Sequence, residues 1–150
     1  MSPLTHREPV RPEWIDYNGH LSEAYYVLVF GHATDALMDH VGLDEAYRAS
    51  TGNSLYTVEA HVRYLDEVPG GTDLTVTTRV IGADAKRARV THEMTAAGRL
   101  VATEELMTLH VDGAEGRTTP FPDAVRAAFA DLIEDPPDYA GRAVAAVPRT

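Results

Sequence analysis

Cysteine is missing from this chain of 150 residues. That excludes disulfide stapling, a thiol nucleophile and thiolate-bound zinc. Long apolar runs are missing too, because charged residues recur every few positions, so no bilayer-spanning segment is expected. The opening MSPLTHREPVRPEW lacks the apolar stretch of a secretory signal. Basic residues are outnumbered, 13 Lys and Arg against 23 Asp and Glu, for a net charge of −10 with histidine neutral. A sequence-neutral grip on nucleic acid needs the opposite balance. Several catalytic signatures are also lacking. Ser54 has no second glycine to make a Gly-x-Ser-x-Gly elbow, and there is no Gly-rich dinucleotide turn, no phosphate loop ending in Lys-Ser/Thr and no His-Glu-x-x-His. What remains is 44% apolar, an ordinary globular value. A soluble, cytoplasmic, single-domain protein is expected, with no membrane and no nucleic-acid partner.

The pattern along the chain predicts an α+β fold. Leu4 to Val10 is a short candidate strand. Ala24, Val27, Leu28, Gly31, Thr34, Leu37, Met38 and Val41 recur at spacings of three and four, which predicts one long helix. Ser22 and Glu23 would open it, and Gly42 would close it. Leu43 to Ala49 would add a short second helix. The period then becomes two: Tyr56 to Tyr64, Leu74 to Val80, Ala88 to Met94 and Leu100 to Val111 read as four consecutive strands separated by Gly-rich or polar turns. The last strand shows one face of Val101, Thr103, Glu105, Met107, Leu109 and Val111, with Glu105 the odd member. Asp123 to Ile133 predicts a short helix. A meander needs a lid for its apolar face, and the long helix is the available one. The expectation is a curved antiparallel sheet wrapped around one long central helix, with a second copy completing its edges. Residues 1–133 would form the domain. Residues 134–150, a Pro-containing C-terminal tail, would be loose or lie across a partner.

Chemistry concentrates in Trp14-Ile15-Asp16-Tyr17-Asn18-Gly19-His20. A carboxylate, an amide and an imidazole stand there in a turn just before a helix, whose unpaired N–H groups can stabilise an oxyanion. Asp16 could attack an activated carbonyl or deprotonate water. The competing reading has Asp16 and Asn18 merely forming a turn with His20 packed beside them. Glu59 and His61, with Arg63, share a strand face and form a second candidate, either a substrate-orienting pair or a plain solvent face. Of the adjacent Glu104 and Glu105 only one can look inward. His32, Asp35 and Asp39 share a helix side where a metal is conceivable, but a solvated face explains them better; His92 fits a packed core or interface position. Lys86, Arg87 and Arg89 are the one dense basic run, suited to phosphates. Trp14, Tyr17, Tyr25, Tyr26 and Tyr56 gather near the turn and would suit a quaternary ammonium group.

The stretch Trp14 to Tyr26, with its Asp16-x-Asn18-Gly19-His20 core, resembles the active-site segment of hot-dog fold acyl-CoA thioesterases of the 4-hydroxybenzoyl-CoA thioesterase type. The meander from Tyr56 to Val111 is similar to theirs, so the likeness covers residues 4 to 120. Ala33 to Met38, Ser54 to His61 and Ala102 to Met107 look further like the betainyl-CoA-hydrolysing subgroup of carnitine breakdown. The resemblance implies hydrolysis of a small acyl-CoA, betainyl-CoA first, by a homodimer or dimer of dimers. Asp16 would be nucleophile or general base, Gly19 would make the turn, and Asn18 and His20 would orient water or shape the pocket. Trp14, Tyr25, Tyr26, Tyr56, Glu59 and His61 would bind the acyl group, Glu59 being a candidate for the trimethylammonium. Lys86, Arg87 and Arg89 would hold the CoA phosphates. No metal and no cofactor besides the substrate's own coenzyme A is implied. The alternatives are a thioesterase for another small acyl-CoA, a non-catalytic acyl-CoA binding module and, less favoured by the turn, a dehydratase.

Overall fold

The computed structural model describes residues 4–149; residues 1–3 and 150, included in the division above, lie outside the described residues. Strand β1 (Leu4–Pro9) leads through a single 3-10 turn (Pro12–Trp14) to helix α1 (Glu23–Val41). Helix α2 (Glu45–Thr51) follows, then β2 (Asn53–Tyr64), β3 (Asp73–Ala83), β4 (Arg87–Ala96) and β5 (Arg99–Asp112). The two-residue β6 (Arg117–Thr118) and helix α3 (Asp123–Leu132) complete the order. The sheet runs β1-β3-β4-β5-β2, antiparallel throughout, with β6 on β5. No helix among the described residues is long and apolar enough to cross a membrane. The expected curved antiparallel sheet around one long helix is what forms.

The long helix buries the predicted stripe in its second half, Thr34, Leu37, Met38 and Val41, but a rotated one in its first half. Tyr26, Val29, Phe30, Ala33, Leu37 and Met38 are buried, whereas Ala24, Val27, Leu28 and Gly31 face outward. Both sets satisfy three-and-four spacing in the first half of the helix, and the larger Tyr26 and Phe30 fill the concave sheet better. Ser22 holds the cap position but its side chain makes no cap hydrogen bond. Gly42 closes the helix with φ at 98°, a left-handed angle that suits glycine. Leu43, expected to start α2, is instead fully buried, and Asp44 caps α2 by accepting from Tyr47 N at 2.9 Å.

Three rows of side chains cross the sheet beneath α1. Val76, Met94 and Ala102 align in one, and Val80, Val90 and Leu106 in another. Between them Thr78, His92 and Glu104 form a polar row. The helix-facing side of β5 is therefore the even-numbered one, opposite to the face picked out by its pattern, and Glu104 rather than Glu105 is the inward carboxyl. Thr34 Oγ1 donates to Phe30 O and lies 2.8 Å from His92 Nε2, while Thr78 Oγ1 lies 2.8 Å from His92 Nδ1. A neutral imidazole satisfies all of these, and burial pushes its pKa down to about 3.

Part of the C-terminal segment, from Glu134 to Gly141, lies against this chain's own sheet. Glu134 N donates to Val80 O at 2.9 Å, extending the sheet edge. Tyr139 then lies on the outer sheet face, its hydroxyl donating to Glu93 at 3.0 Å and its ring 4.5 Å from the Arg63 guanidinium carbon. Gly141 N donates to Glu105 Oε1 at 2.7 Å.

Burial pushes the Glu104 carboxyl up to about 7 from a usual 4.5. The folded chain thus holds this proton longer than the unfolded one, so the stability it contributes is full below pH 4.5 and lost as pH rises to 7. Glu104→Gln should remove that loss and be more stable than the parent at pH 8 by about 1–3 kcal/mol in urea denaturation. Superimposable pH profiles for the two proteins would show that Glu104 ionises as an ordinary carboxylate. His92 acts in the opposite sense, costing stability as pH falls from 6.5 towards 3, and that limb should persist in the variant.

Candidate active site

The Trp14–Leu21 segment is a closed loop at the N-terminal end of α1. Trp14 is buried and stacks on Tyr25 at 5.5 Å between ring centres, and the Arg11 guanidinium lies over its ring. Asp16 N donates to His20 O at 2.9 Å and Gly19 N to Asp16 O at 3.0 Å, so the two sides of the loop close on each other. Gly19 takes φ of 81° at the tip. Leu21 N donates to Val68 O at 2.8 Å and Ser22 N to Trp14 O at 3.0 Å, tying the loop to the 65–69 turn and to its own start.

Asp16 has two roles available because it has two oxygens. Its Oδ1 accepts from Asn18 N at 2.8 Å and more weakly from His20 N at 3.4 Å, the turn-forming function. Its Oδ2 makes no hydrogen bond among the described residues and is left for chemistry. Asn18, Gly19 and Tyr17 are exposed, Asp16 and His20 partly so. His20 Nε2 lies 3.3 Å from Glu67 Oε2.

The loop forms one wall of an open cleft of about 820 Å³, lined by Asp16, Asn18, His20, Leu21, Glu23, Tyr26, Tyr64, Leu65, Asp66 and Glu67. Asp16, Glu23, Asp66 and Glu67 make this surface strongly acidic. Tyr26 donates to Asp66 O at 3.1 Å and meets Tyr64 edge to face at 5.1 Å, and Tyr64 donates to Glu23 O at 3.3 Å. Burial first, then neighbouring carboxylates, raises the pKa of both phenols, so both remain neutral donors. Asp66 is anchored by an ion pair with Arg99. Ser22 gives no side-chain cap and Tyr25 N donates to Ser22 O, which leaves the Glu23 and Ala24 N–H groups of α1 without a hydrogen bond among the described residues.

The other sequence-picked residues scatter. Of the five aromatics proposed for a cation cage only Tyr26 lines this cleft; Tyr17 is 96% exposed and Tyr56, on β2, is half exposed. Glu59 and His61 line a separate cavity of about 520 Å³ on the outer sheet face, roofed by Gly141 to Val144 and shared with Arg89 and Glu105. Arg89 is held there by Glu105, 2.6 Å from Nε to Oε2. Arg87 pairs with Asp84 at 2.8 Å. Lys86 is exposed and shares a shallow cleft with Arg87 and Arg126 of α3. Arg126, Tyr64, Asp66 and Glu67 escaped the sequence reading. The Asp66-Glu67 pair next to a Pro-Gly turn reads simply as a loop until the Leu21–Val68 contact brings it to Asp16.

Comparison with known proteins gives consistent matches. The model of the thioesterase-like superfamily matches residues 10–129. A betainyl-CoA thioesterase of Pseudomonas aeruginosa is 45% identical over 132 residues, covering 87% of this chain and 83% of that protein. An L-carnitine dehydrogenase/betainyl-CoA thioesterase of Agrobacterium fabrum is 48% identical over 147 residues; the match takes in 95% of this chain but spans only 30% of that protein's length. Among solved structures, a hypothetical protein of Staphylococcus aureus in complex with CoA superposes with a TM-score of 0.89 at 28% identity, over 98% of this chain and 96% of that one. A Pseudomonas putida KT2440 structure does so with a TM-score of 0.84 at 37% identity, over 99% of each chain.

The loop geometry makes one position diagnostic. A Cβ at Gly19 would meet nothing within 4 Å, so Gly19→Ala tests backbone strain alone. It should cost about 1–2 kcal/mol of stability in denaturant titration. A cost near zero would mean that the turn adopts other angles in solution.

Proposed function

Because the chain belongs to the thioesterase-like superfamily and has its hot-dog architecture, we propose that it is an acyl-CoA thioesterase that converts betainyl-CoA to glycine betaine and free CoA. The observation that carries the substrate is the acidic, tyrosine-walled cleft beside Asp16. A trimethylammonium acyl group is drawn to carboxylates and to aromatic faces without needing a hydrogen bond. An anionic acyl group such as a dicarboxylic half-thioester would meet Asp16, Glu23, Asp66 and Glu67 together. The named activity of the Pseudomonas aeruginosa relative supports the same substrate.

Asp16 is the reacting carboxylate in this proposal. The thioester carbonyl lies against the open N–H groups of α1, and negative charge developing on its oxygen is stabilised there. Asp16 either attacks the carbonyl carbon or takes a proton from water that attacks it. In the first course, collapse expels the CoA thiolate and leaves a mixed anhydride that a second step hydrolyses, regenerating the carboxylate. In the second, hydroxide adds, the thiolate leaves, and the proton held by Asp16 is returned to solvent or sulfur. A thiolate leaves readily, so no strong general acid is demanded. His20, poised beside Glu67, and Asn18 orient water at the cleft mouth.

A homodimer completes the binding site. Asp16 stands at the N-terminal end of α1. Lys86 and Arg87 lie beyond its other end, next to the Val80, Ala88 and Phe121 cluster that packs on Leu37 and Met38. Within one chain, acyl and phosphate sites are therefore far apart. Among the described residues β2 is a free edge, with Val58 54% and Tyr64 47% exposed, and α1 beside it exposes Val27 and Leu28. Twofold antiparallel pairing of two β2 edges sets the Asp16 end of one α1 against the Lys86 end of the other. Lys86, Arg87 and Arg126 then take the CoA phosphates.

The test is thiol release from a panel of small acyl-CoAs with the parent protein and Asp16→Asn. Asn keeps an oxygen for the Asn18 and His20 N–H groups, so the loop should fold unchanged. Betainyl-CoA should be the preferred substrate, and the variant should lose at least about a hundredfold in kcat. Preference for another acyl-CoA would keep the enzyme class and overturn the substrate. CoA binding without hydrolysis across the panel would favour the non-catalytic module instead.

A further inference from the structure

A second polar cluster lies away from the cleft, between edge strand β1 and the middle of α1. β1 turns His6 and Glu8 to the helix side, in register with the buried apolar Val76 and Leu74 of β3. The helix meets them with His32. The sequence pattern grouped His32 with Asp35 and Asp39, but Asp35 and Asp39 have no part in this cluster and His32 turns to Glu8 instead. His32 Nδ1 lies 2.6 Å and His6 Nε2 3.0 Å from the same oxygen, Glu8 Oε1. The ligand atoms of all three side chains lie within 4.8 Å of one another, the one such grouping among the described residues. The two imidazoles meet edge to face at 6.1 Å.

We propose that His6 Nε2, Glu8 and His32 Nδ1 form a binding site for a divalent transition-metal ion of the zinc class. Two imidazoles and one carboxylate match the donor preference of zinc and cobalt, not of calcium or magnesium, which take oxygen ligands. Tetrahedral zinc with bonds of about 2.0–2.1 Å needs donor atoms roughly 3.3 Å apart. The two Glu8–His separations reach that by opening less than about 1 Å, and the two imidazole nitrogens, within 4.8 Å of each other, come into range by side-chain rotation. Convergence of both imidazoles on one carboxylate oxygen, while Oε2 makes no hydrogen bond among the described residues, is what three ligands arranged around a common point look like. The Glu8 side chain is 12% exposed and His32 37%, leaving room on the solvent side for a water as fourth ligand.

The site is structural, not catalytic. His32 is ten residues past Ser22, about 15 Å along the helix. Among the described residues β1 has only β3 as a sheet neighbour, so an ion here fastens the outermost strand directly to the central helix.

The experiment uses the chain without a polyhistidine tag, freed of metal by chelator and then titrated with zinc chloride by calorimetry, with melting curves alongside. One zinc per chain should bind at micromolar or tighter affinity, and saturation should raise the melting temperature by roughly 5 °C. Glu8→Gln, nearly isosteric, and His32→Ala should each weaken binding at least tenfold and abolish the shift, whereas His40→Ala at the exposed helix end should change neither. Cobalt in place of zinc should give d–d absorption bands that Glu8→Gln alters. No heat and no thermal shift in the parent protein would overturn the proposal, as would equal affinity in the parent, Glu8→Gln and His32→Ala.

Discussion

Helix α1 must bury Tyr26, Val29, Phe30, Ala33, Leu37 and Met38, and only a sheet that bends can cover so wide a stripe. The bend is made where the register shifts, between Thr57 and Glu59, between Val80 and Gly82 and between Met94 and Thr95. With the helix seated, its first turn is fixed at the rim of the sheet. Trp14, Leu21, Tyr26 and Val68 pack in one cluster there, and that cluster fixes where the Asp16 loop and the 65–69 turn meet. The position of the Asp16 carboxylate is thus a by-product of core packing, and no local motif alone would secure it.

The same interior tolerates polar groups only where each is answered. His92 is fully buried yet has Thr34 on one nitrogen and Thr78 on the other, and stacks on Phe30 at 5.8 Å between ring centres. That network fixes the angular position of α1 over the sheet, since a rotation of the helix would strand the imidazole. Glu104, next to it in the row, has no such hydrogen bonds among the described residues, and burial instead raises its pKa to about 7. His110, at the far end of β5, is again fully answered, by Tyr47 and by the Thr119 carbonyl.

Period and punctuation made the long helix, the meander and the Asp16 turn legible. Local pattern also suggested Asp16, Asn18 and His20 together, because they are neighbours in the chain. What failed were relations across distance. The inner face of β5 stays open in the sequence because both faces of that strand carry apolar residues and a carboxyl, so alternation alone does not say which is covered. Glu59 and His61 share a face, as alternation requires, but the face is the outer one. Tyr64, Asp66 and Glu67 reach the cleft through a contact between residues 21 and 68, which no spacing rule sees. His6 and Glu8 sit in a strand too short and weakly patterned to reveal which side meets the helix.

The connectivity also has a kinetic consequence. β3, β4 and β5 join through tight hairpins, so their pairing needs only short loops to close. β2 reaches its place only by pairing Tyr56 with Leu109 and Tyr64 with Ala102, and β1 by pairing His6 with Val76, contacts separated by long stretches of chain. Long closures come late in folding because their entropy is lost before their contacts are gained. The three-stranded meander can therefore exist, with its spectroscopic sheet content, before the Asp16 loop has a 65–69 turn to lean on. Recovery of secondary structure and recovery of a working cleft become two separate clocks, and the second is set by the edges.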